Sequence, residues 1–252
     1  MTFPVNIHIG KIEISSHLVC ELLAYSIGFR YFLYLRKNTI DTISTEHRTL
    51  ILIAATLGSF VFSRLVGFME TAEFFNGQVS FAGVYGNKTI LGGLLGGLLA
   101  VEICKKIIGV TQSSGDLMTY PILLAMIIGR MGCFLAGLED GTYGVETILP
   151  WAINFGDGVF RHPTNLYEIL FLALVWIIIY LAEHQFILAN GTKFKLFLFS
   201  YFLFRFLVEF IKPVNTFSFG LSAIQITALL GIIYYYKIIF FPKSLIEKRN
   251  YA

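Results

Sequence analysis

Two arginines set in apolar surroundings are the residues of this chain whose type and setting most suggest chemistry. Arg130 lies in GRMGCFLAGLEDGTYG, where glycines flank the guanidinium and then open into a loop. Backbone without side chains can approach a ligand closely while the planar five-donor fork points at it. The competing reading is a side chain that snorkels to a membrane interface. Arg205, in FLFRFLVEF, stands four residues before Glu209, so the two share a helix face and can form an ion pair. Either the pair neutralises itself so that the helix can enter a bilayer, or Arg205 serves an anionic ligand and Glu209 fixes its pose. Guanidinium meets phosphate through two parallel hydrogen bonds, so in an apolar setting the ligand class is an anionic phospholipid head group.

Further candidates surround these two. His162 in RHPTNLYE precedes Pro163 at the start of an apolar stretch, where it either caps or hydrogen-bonds a loop or moves a proton. Tyr167 and Glu168 follow on what reads as the first turn, where Glu suits the helix dipole. Cys133 is either a small apolar filler or a nucleophile. The run ILGGLLGGLL spaces Gly92 from Gly96 and Gly93 from Gly97 by four residues, a pattern that lets a second helix pack closely.

The elements that must position these residues are membrane helices. Of the 252 residues 56% are hydrophobic and 14% charged, with 25 Phe and 13 Tyr, and the mean hydropathy is +0.72. So few charges cannot solvate a water-facing globule, and the expected fold is an all-α polytopic membrane protein. A net charge of +3 makes nucleic acid an unsuitable partner. Cys20, Cys104 and Cys133 are too few and too scattered for a disulfide framework or a thiolate metal site. The opening MTFPVNIHIGKIEISSHL has neither a basic leader nor an apolar core, so no cleaved signal is expected and the chain is read as starting at Met1. Neither a long polar block nor a fixed-period repeat is visible, so residues 1–252 read as one membrane domain.

A span needs about 20 mostly apolar residues, and such stretches fall at 17–35, 48–68, 89–109, 116–135, 165–185, 193–211 and 219–241. Seven spans are therefore expected. Alternate connections hold Arg36, Lys37 and Arg48, then Lys105 and Lys106, then Lys193 and Lys195, then Lys243, Lys248 and Arg249; the others hold only Lys11, Lys88, Arg161 and Lys212. Excess positive charge marks the cytoplasmic side, which puts the N-terminus outside and the C-terminus inside. On that topology Arg64, Arg130, Arg205 and Glu209 lie near outward span ends and Glu21 begins the first span on the outside, beside outer connections that carry Glu70, Glu73, Glu139, Asp140, Asp157, Arg161, His162 and Glu168. A charge at a helix centre costs roughly 2.5–3.5 kcal/mol, so this sorting to one depth implies a polar site sunk into the outer leaflet.

Taken together, GRMGCFLAG with the later Gly144, RHPTNLYE, FLFRFLVEF and GGLLGG resemble the prolipoprotein diacylglyceryl transferase family, from about the third span onward. The resemblance implies a seven-span fold in the bacterial plasma membrane. It also implies transfer of a diacylglyceryl group from phosphatidylglycerol to the lipobox cysteine of a prolipoprotein, with no metal or cofactor. Carried over by position, Arg130, Arg205, Glu139 and His162 form the catalytic set. Gly132, Cys133, Gly144, Glu209, Gly92, Gly93 and Tyr167 join Arg130 in binding substrate. The arginines would hold the phosphate and offset charge on the leaving oxygen, while a base helps form the thiolate.

Two positions depart from the family pattern: Leu91 stands where a histidine usually precedes the glycine pair, and Cys133 where the loop asparagine usually lies. The usual histidine is a proposed base, so His162 or Glu139 would have to assist the thiol, or the acceptor or donor differs. Near the first span the family's tyrosine has no clear equivalent, with His17 and Tyr25 nearby. Three functions follow: the diacylglyceryl transferase, a related lipid or isoprenoid group transferase, and a non-catalytic phospholipid-binding membrane protein.

Overall fold

The computed structural model describes residues 3–10 and 12–247. Met1, Lys11, Lys248 and Arg249, which entered the readings of start and orientation, lie outside the described residues. Helices dominate, and the chain divides into two compact units, Met1–Ile40 with Leu117–Phe186 and Phe210–Pro213, and Asp41–Asp116 with Ile187–Glu209 and Val214–Ala252.

The first unit opens on a hairpin that the all-helical reading did not include. β1 (Asn6–Ile9) pairs antiparallel with β2 (Ile12–Ser15), Ile7 opposite Ile14, around Gly10 at φ +65°. Alternating Ile and polar residues on both sides of a glycine give the period of two that a strand requires. Helix α1 (Ser16–Asn38) starts at once from β2. Leu18, Leu22, Tyr25, Phe29 and Leu33 stand exposed along one stripe of it, while Ala24, Gly28 and Phe32 are buried on the other side. An exposed apolar stripe of that length is covered at low cost only by lipid. Helices α6 (Asp116–Ala136) and α7 (Thr164–Gln185) complete the long elements of this unit. A 3-10 turn (Gly137–Asp140) continues α6, and a second small hairpin, β3 (Ile153–Asn154) with β4 (Phe160–Arg161), lies in the segment before α7.

In the second unit, α2 (Thr45–Met69) and α5 (Ile90–Ile108) pack along much of their lengths, with two short helices, α3 (Ala72–Phe75) and α4 (Phe81–Gly86), between them in sequence. The glycines of α5 explain the approach. A Cβ on Gly96 would lie 2.3 Å from Phe62 Cβ and 2.5 Å from Gly58 O; one on Gly92 would lie 2.5 Å from Phe62 O. Ser59 Oγ donates to Gly93 O at 2.8 Å and Ser63 Oγ to Thr89 O at 2.9 Å, bonds that backbones held apart by side chains could not make. Leu91, at the position of the usual family histidine, is buried at 1% exposure. The unit closes with α8 (Thr192–Val208), α9 (Ala223–Tyr234) and α10 (Tyr236–Phe240).

Among the described residues, four helices are long and apolar enough to cross a bilayer: α1, α2, α6 with its 3-10 extension, and α7. The remaining expected stretches are occupied differently. α5 carries Glu102, Lys105 and Lys106 toward its end, α8 gives way to a 3-10 turn at Glu209–Ile211, and the stretch 219–241 is divided between α9 and α10. Of the four long helices, α6 is the most enclosed, 44% of it buried against 17% for α1 and α2. The helix that carries Arg130 is thus the one best shielded from lipid.

Candidate functional site

In the first unit the site is built where α6 ends. Arg130 is 6% exposed, and its Nε lies 2.8 Å from Oε1 of Glu168, itself 3% exposed, on α7. Two opposite charges this deeply buried hold each other in place, and removing one takes away the other's ion-pair partner. Glu168 does not sit on the first turn of α7, which contains no acidic residue, so the dipole reading gives way to this ion pair. One turn beyond, Cys133 Sγ lies 3.8 Å from Arg130 Nη1. Gly132 faces α1: a Cβ there would come within 2.7 Å of Cys20 Cβ and 3.3 Å of His17 Cα. That glycine brings α1 and α6 together and sets the first turn of α1 against Cys133.

The loop after α6 folds back on the same place. Gly137 and Gly141 take φ of +64° and +66°, values open to glycine without strain, and the 3-10 turn between them presents Asp140. Asp140 Oδ1 lies 3.2 Å from His17 Nδ1, and His17 Nε2 lies 3.8 Å from Glu21 Oε2 one turn along α1. Thr142 Oγ1 contacts both Asp140 Oδ2 and, at 2.8 Å, Asn165 Oδ1. The neighbouring Glu139 is exposed. Asp140, Glu21 and Glu168 belong to the outward-facing charges that the sequence sorts to one depth, and His17 lies near the first span, but none of the four is in the catalytic or substrate-binding set that the resemblance implies. The four-residue spacing of His17 and Glu21 was the available signal. His17, Cys133 and Asp140 each offer a ligand atom, and these atoms lie within 4.8 Å of one another, a set that a metal ion could occupy.

Gly144 packs against the RHPTNLYE segment. Its N–H donates to His162 O at 2.9 Å, and a Cβ there would meet His162 Cβ at 2.5 Å and Ile211 O at 2.9 Å. His162 leaves the cap position of α7 to Pro163 and pairs through Nδ1 with the Tyr167 hydroxyl at 3.1 Å. That hydroxyl also accepts from Trp151 Nε1 at 2.7 Å. An apolar cavity of about 280 Å³ lies here, lined by Trp151, Pro163, Leu166, Tyr167 and Leu170. Its walls suit hydrocarbon, and the tyrosine hydroxyl supplies polar orientation. Farther out in the same segment, Arg161 binds Asp157 at 2.8 Å and holds its carboxyl down at about 2.

The second unit carries the other arginine. Arg205 Nη2 donates to Glu209 Oε2 at 2.9 Å, and the residues are 5% and 1% exposed. Glu209 Oε1 has no hydrogen-bond partner among the described residues. Glu70, just past the end of α2, accepts from Ile224 N at 2.8 Å. Burial is the main cause that pushes its carboxyl up to about 7; the backbone N–H of Ile224 works against it, Glu209 adds to it and Arg205 opposes it. Gly92 and Gly93 lie on α5 against α2, where Gly92 is sterically required and Gly93 meets nothing nearer than 3.7 Å. Arg64 lies over the rings of Phe60 and Tyr85, at 5.6 and 5.2 Å, and donates to Tyr85 O. An aromatic anchor of this kind suits a membrane interface.

Long apolar helices that bury guanidinium–carboxylate pairs define an α-helical integral membrane protein whose charges are retained in spite of their desolvation cost. Comparison with known proteins gives the family. The family model for prolipoprotein diacylglyceryl transferase matches residues 4–241, and the chain belongs to that family. It is 31% identical over 238 residues to the phosphatidylglycerol–prolipoprotein diacylglyceryl transferase of Bordetella bronchiseptica, covering 87% of this chain and 86% of that one. The enzyme of the same name from Methylobacillus flagellatus is 29% identical over 263 residues, with 91% and 92% covered. That of Pasteurella multocida is 31% identical over 226 residues, with 83% and 78% covered.

Proposed function

We propose that this protein transfers a diacylglyceryl group from phosphatidylglycerol to the lipobox cysteine thiol of prolipoproteins in the bacterial plasma membrane. The observation that carries the reading is the family match over residues 4–241. The names of the relatives supply donor and acceptor. In this reading residues 1–252 form one membrane-embedded domain of seven spans, N-terminus outside and C-terminus cytoplasmic.

The chemistry asks for a phosphate held while its ester oxygen takes on charge, and for an acceptor thiolate. Arg130 and Arg205 are the phosphate-binding candidates. Each is buried beside one carboxylate that keeps the guanidinium fork in a single pose, at 2.8 Å from Glu168 and 2.9 Å from Glu209. In a site of low dielectric such fixed donors stabilise developing negative charge far better than water does. Glu209 Oε1 offers an acceptor for a head-group hydroxyl. The apolar cavity beside Tyr167 and His162 suits part of an acyl chain, with Gly144 holding His162 in position. Cys133 and Gly132 shape the wall behind Arg130, and Glu139 remains a candidate at the loop. Leu91 favours a second reading, a related transferase with another acceptor, because a buried leucine cannot supply the family's proposed base.

Incubation of the purified protein with phosphatidylglycerol and a lipobox peptide in detergent, followed by mass spectrometry, tests the reading. A diacylglyceryl mass increase on the cysteine is expected, lost in Arg130→Lys and in Arg205→Lys, because a point charge cannot replace a bidentate fork. Folded protein that yields no increase would overturn it.

A further inference from the structure

The loop between α6 and α7 carries an apolar turn that stands exposed. Ile148, Leu149, Pro150 and Trp151 follow one another there, with Ile148 at 102% exposure and Trp151 at 56%. No charged residue stands between Glu146 and Asp157. Four consecutive exposed apolar residues are a liability for a loop in water, and they are kept where something apolar covers them. The same loop does pack other apolar residues: Phe155 is 2% exposed against the rings of Phe3, Phe134 and Tyr143. The turn itself is fixed by its own backbone. Ala152 N donates to Leu149 O and Thr147 N to Phe160 O, both at 2.9 Å, and Leu149 N donates to Thr147 Oγ1 at 3.4 Å. Pro150 has no N–H to satisfy, so this segment asks little of water.

What covers the turn follows from where it sits. Both helices that the loop joins are long and apolar enough to cross a bilayer, so the loop starts and ends at the same membrane surface. Trp151 Nε1 donates to the Tyr167 hydroxyl at 2.7 Å, and Trp151 lines the apolar cavity together with Leu166 and Leu170 of α7. At the rise of an α-helix, Leu170 lies about 9 Å below Thr164, the first residue of α7. Trp151 therefore stands beside the first two turns of that helix instead of above them. Leu170, 68% exposed, also heads the stripe Leu170, Leu174, Ile178 and Leu181 that α7 turns outward, and in a membrane protein such a stripe faces hydrocarbon. The indole thus borders a lipid-facing surface with its N–H tied to a tyrosine, as interfacial aromatic anchors do. We propose that the Ile148–Trp151 turn inserts into the adjoining leaflet, Ile148 and Leu149 entering the acyl-chain layer and Trp151 lying at the head-group boundary. The partner is the hydrocarbon of the bilayer, met at the depth of about 5–10 Å that interfacial elements reach. The cavity beside α7 is then reached from lipid and closed to water.

The chain contains two tryptophans, Trp151 and Trp176, so the full-length Trp176→Phe protein reports on the turn by its own fluorescence. In vesicles of phosphatidylglycerol and phosphatidylcholine with brominated acyl chains, loss of the Trp151 emission is expected. The loss should be larger for bromine near the head-group end of the chain than for bromine near its methyl end, and iodide in the aqueous phase should quench weakly. Emission that brominated lipid leaves intact would overturn the proposal. Quenching by iodide would in that case put the turn in water, and protection from iodide would put it against protein, such as a second copy of this chain. The tip is tested by Ile148→Trp in the Trp151→Phe, Trp176→Phe background, a position where no neighbour crowds the new ring. Its emission should be blue-shifted and lost to bromine at deeper chain positions than that of Trp151. Emission lost to iodide alone would leave Trp151 beside lipid and overturn the insertion of the turn.

Discussion

The two buried arginines solve one electrostatic problem in different ways. Arg205 takes its carboxylate from four residues along its own chain, so the pair is made by helix geometry before any tertiary contact. Arg130 takes Glu168 from another helix, and only the packing of α6 against α7 makes the pair. The first pairing is local and survives loosening of the bundle; the second is a tertiary contact that depends on a fold which also assembles His17, Cys133 and Asp140. Where the partner comes from the distant chain, removing it should disturb the arrangement of a whole site.

The largest effect expected from this contrast is on Glu168. Glu168→Ala leaves a guanidinium buried at 6% exposure without its carboxylate, and a loss of roughly 3–5 kcal/mol is expected, read as a lowered thermal midpoint in detergent. An unchanged midpoint would break the comparison. Next comes the carboxylate near Arg205. Glu70 is held up at about 7 mainly by burial, so its folded form keeps its proton where the unfolded chain has lost it. Its protonated form is fully compatible with the fold at low pH, and stability falls as pH rises from the ordinary carboxylate range to about 7, then levels off. The change is on the order of 2–3 kcal/mol, and Glu70→Gln should flatten that part of the stability–pH curve. A curve of the same slope in the variant would remove Glu70 from the account. Smallest is the pair of glycine substitutions on α5. Gly96→Ala drives a methyl against Phe62 and the backbone of Gly58, for an expected loss of about 1–3 kcal/mol. Gly93→Ala meets only ordinary contacts and should be neutral or slightly stabilising. Equal losses at both positions would mean that the repeat as a whole, rather than Gly96 in particular, sets the approach of α2.

Patterns confined to a few turns of chain were legible without coordinates. The apolar stretches placed the four long helices α1, α2, α6 and α7 to within a few residues, Arg205 and Glu209 are a pair by spacing, and the glycine repeat of α5 announces a close helix contact. The small hairpin at Asn6–Ser15 is too short to stand out among the long apolar runs, although its residues alternate around Gly10. Periodicity and i, i+4 geometry are properties of the backbone alone, which is why sequence determines them. Which distant residue completes a charge or a ligand set is decided by packing. Glu168 reads as a helix-dipole residue until α7 lies against α6, and Asp140 rather than Glu139 faces His17 because two left-handed glycines set the turn between them. No local rule contains those distances, so only the tertiary structure could join His17 at one end of the chain to Cys133 and Asp140 far along it.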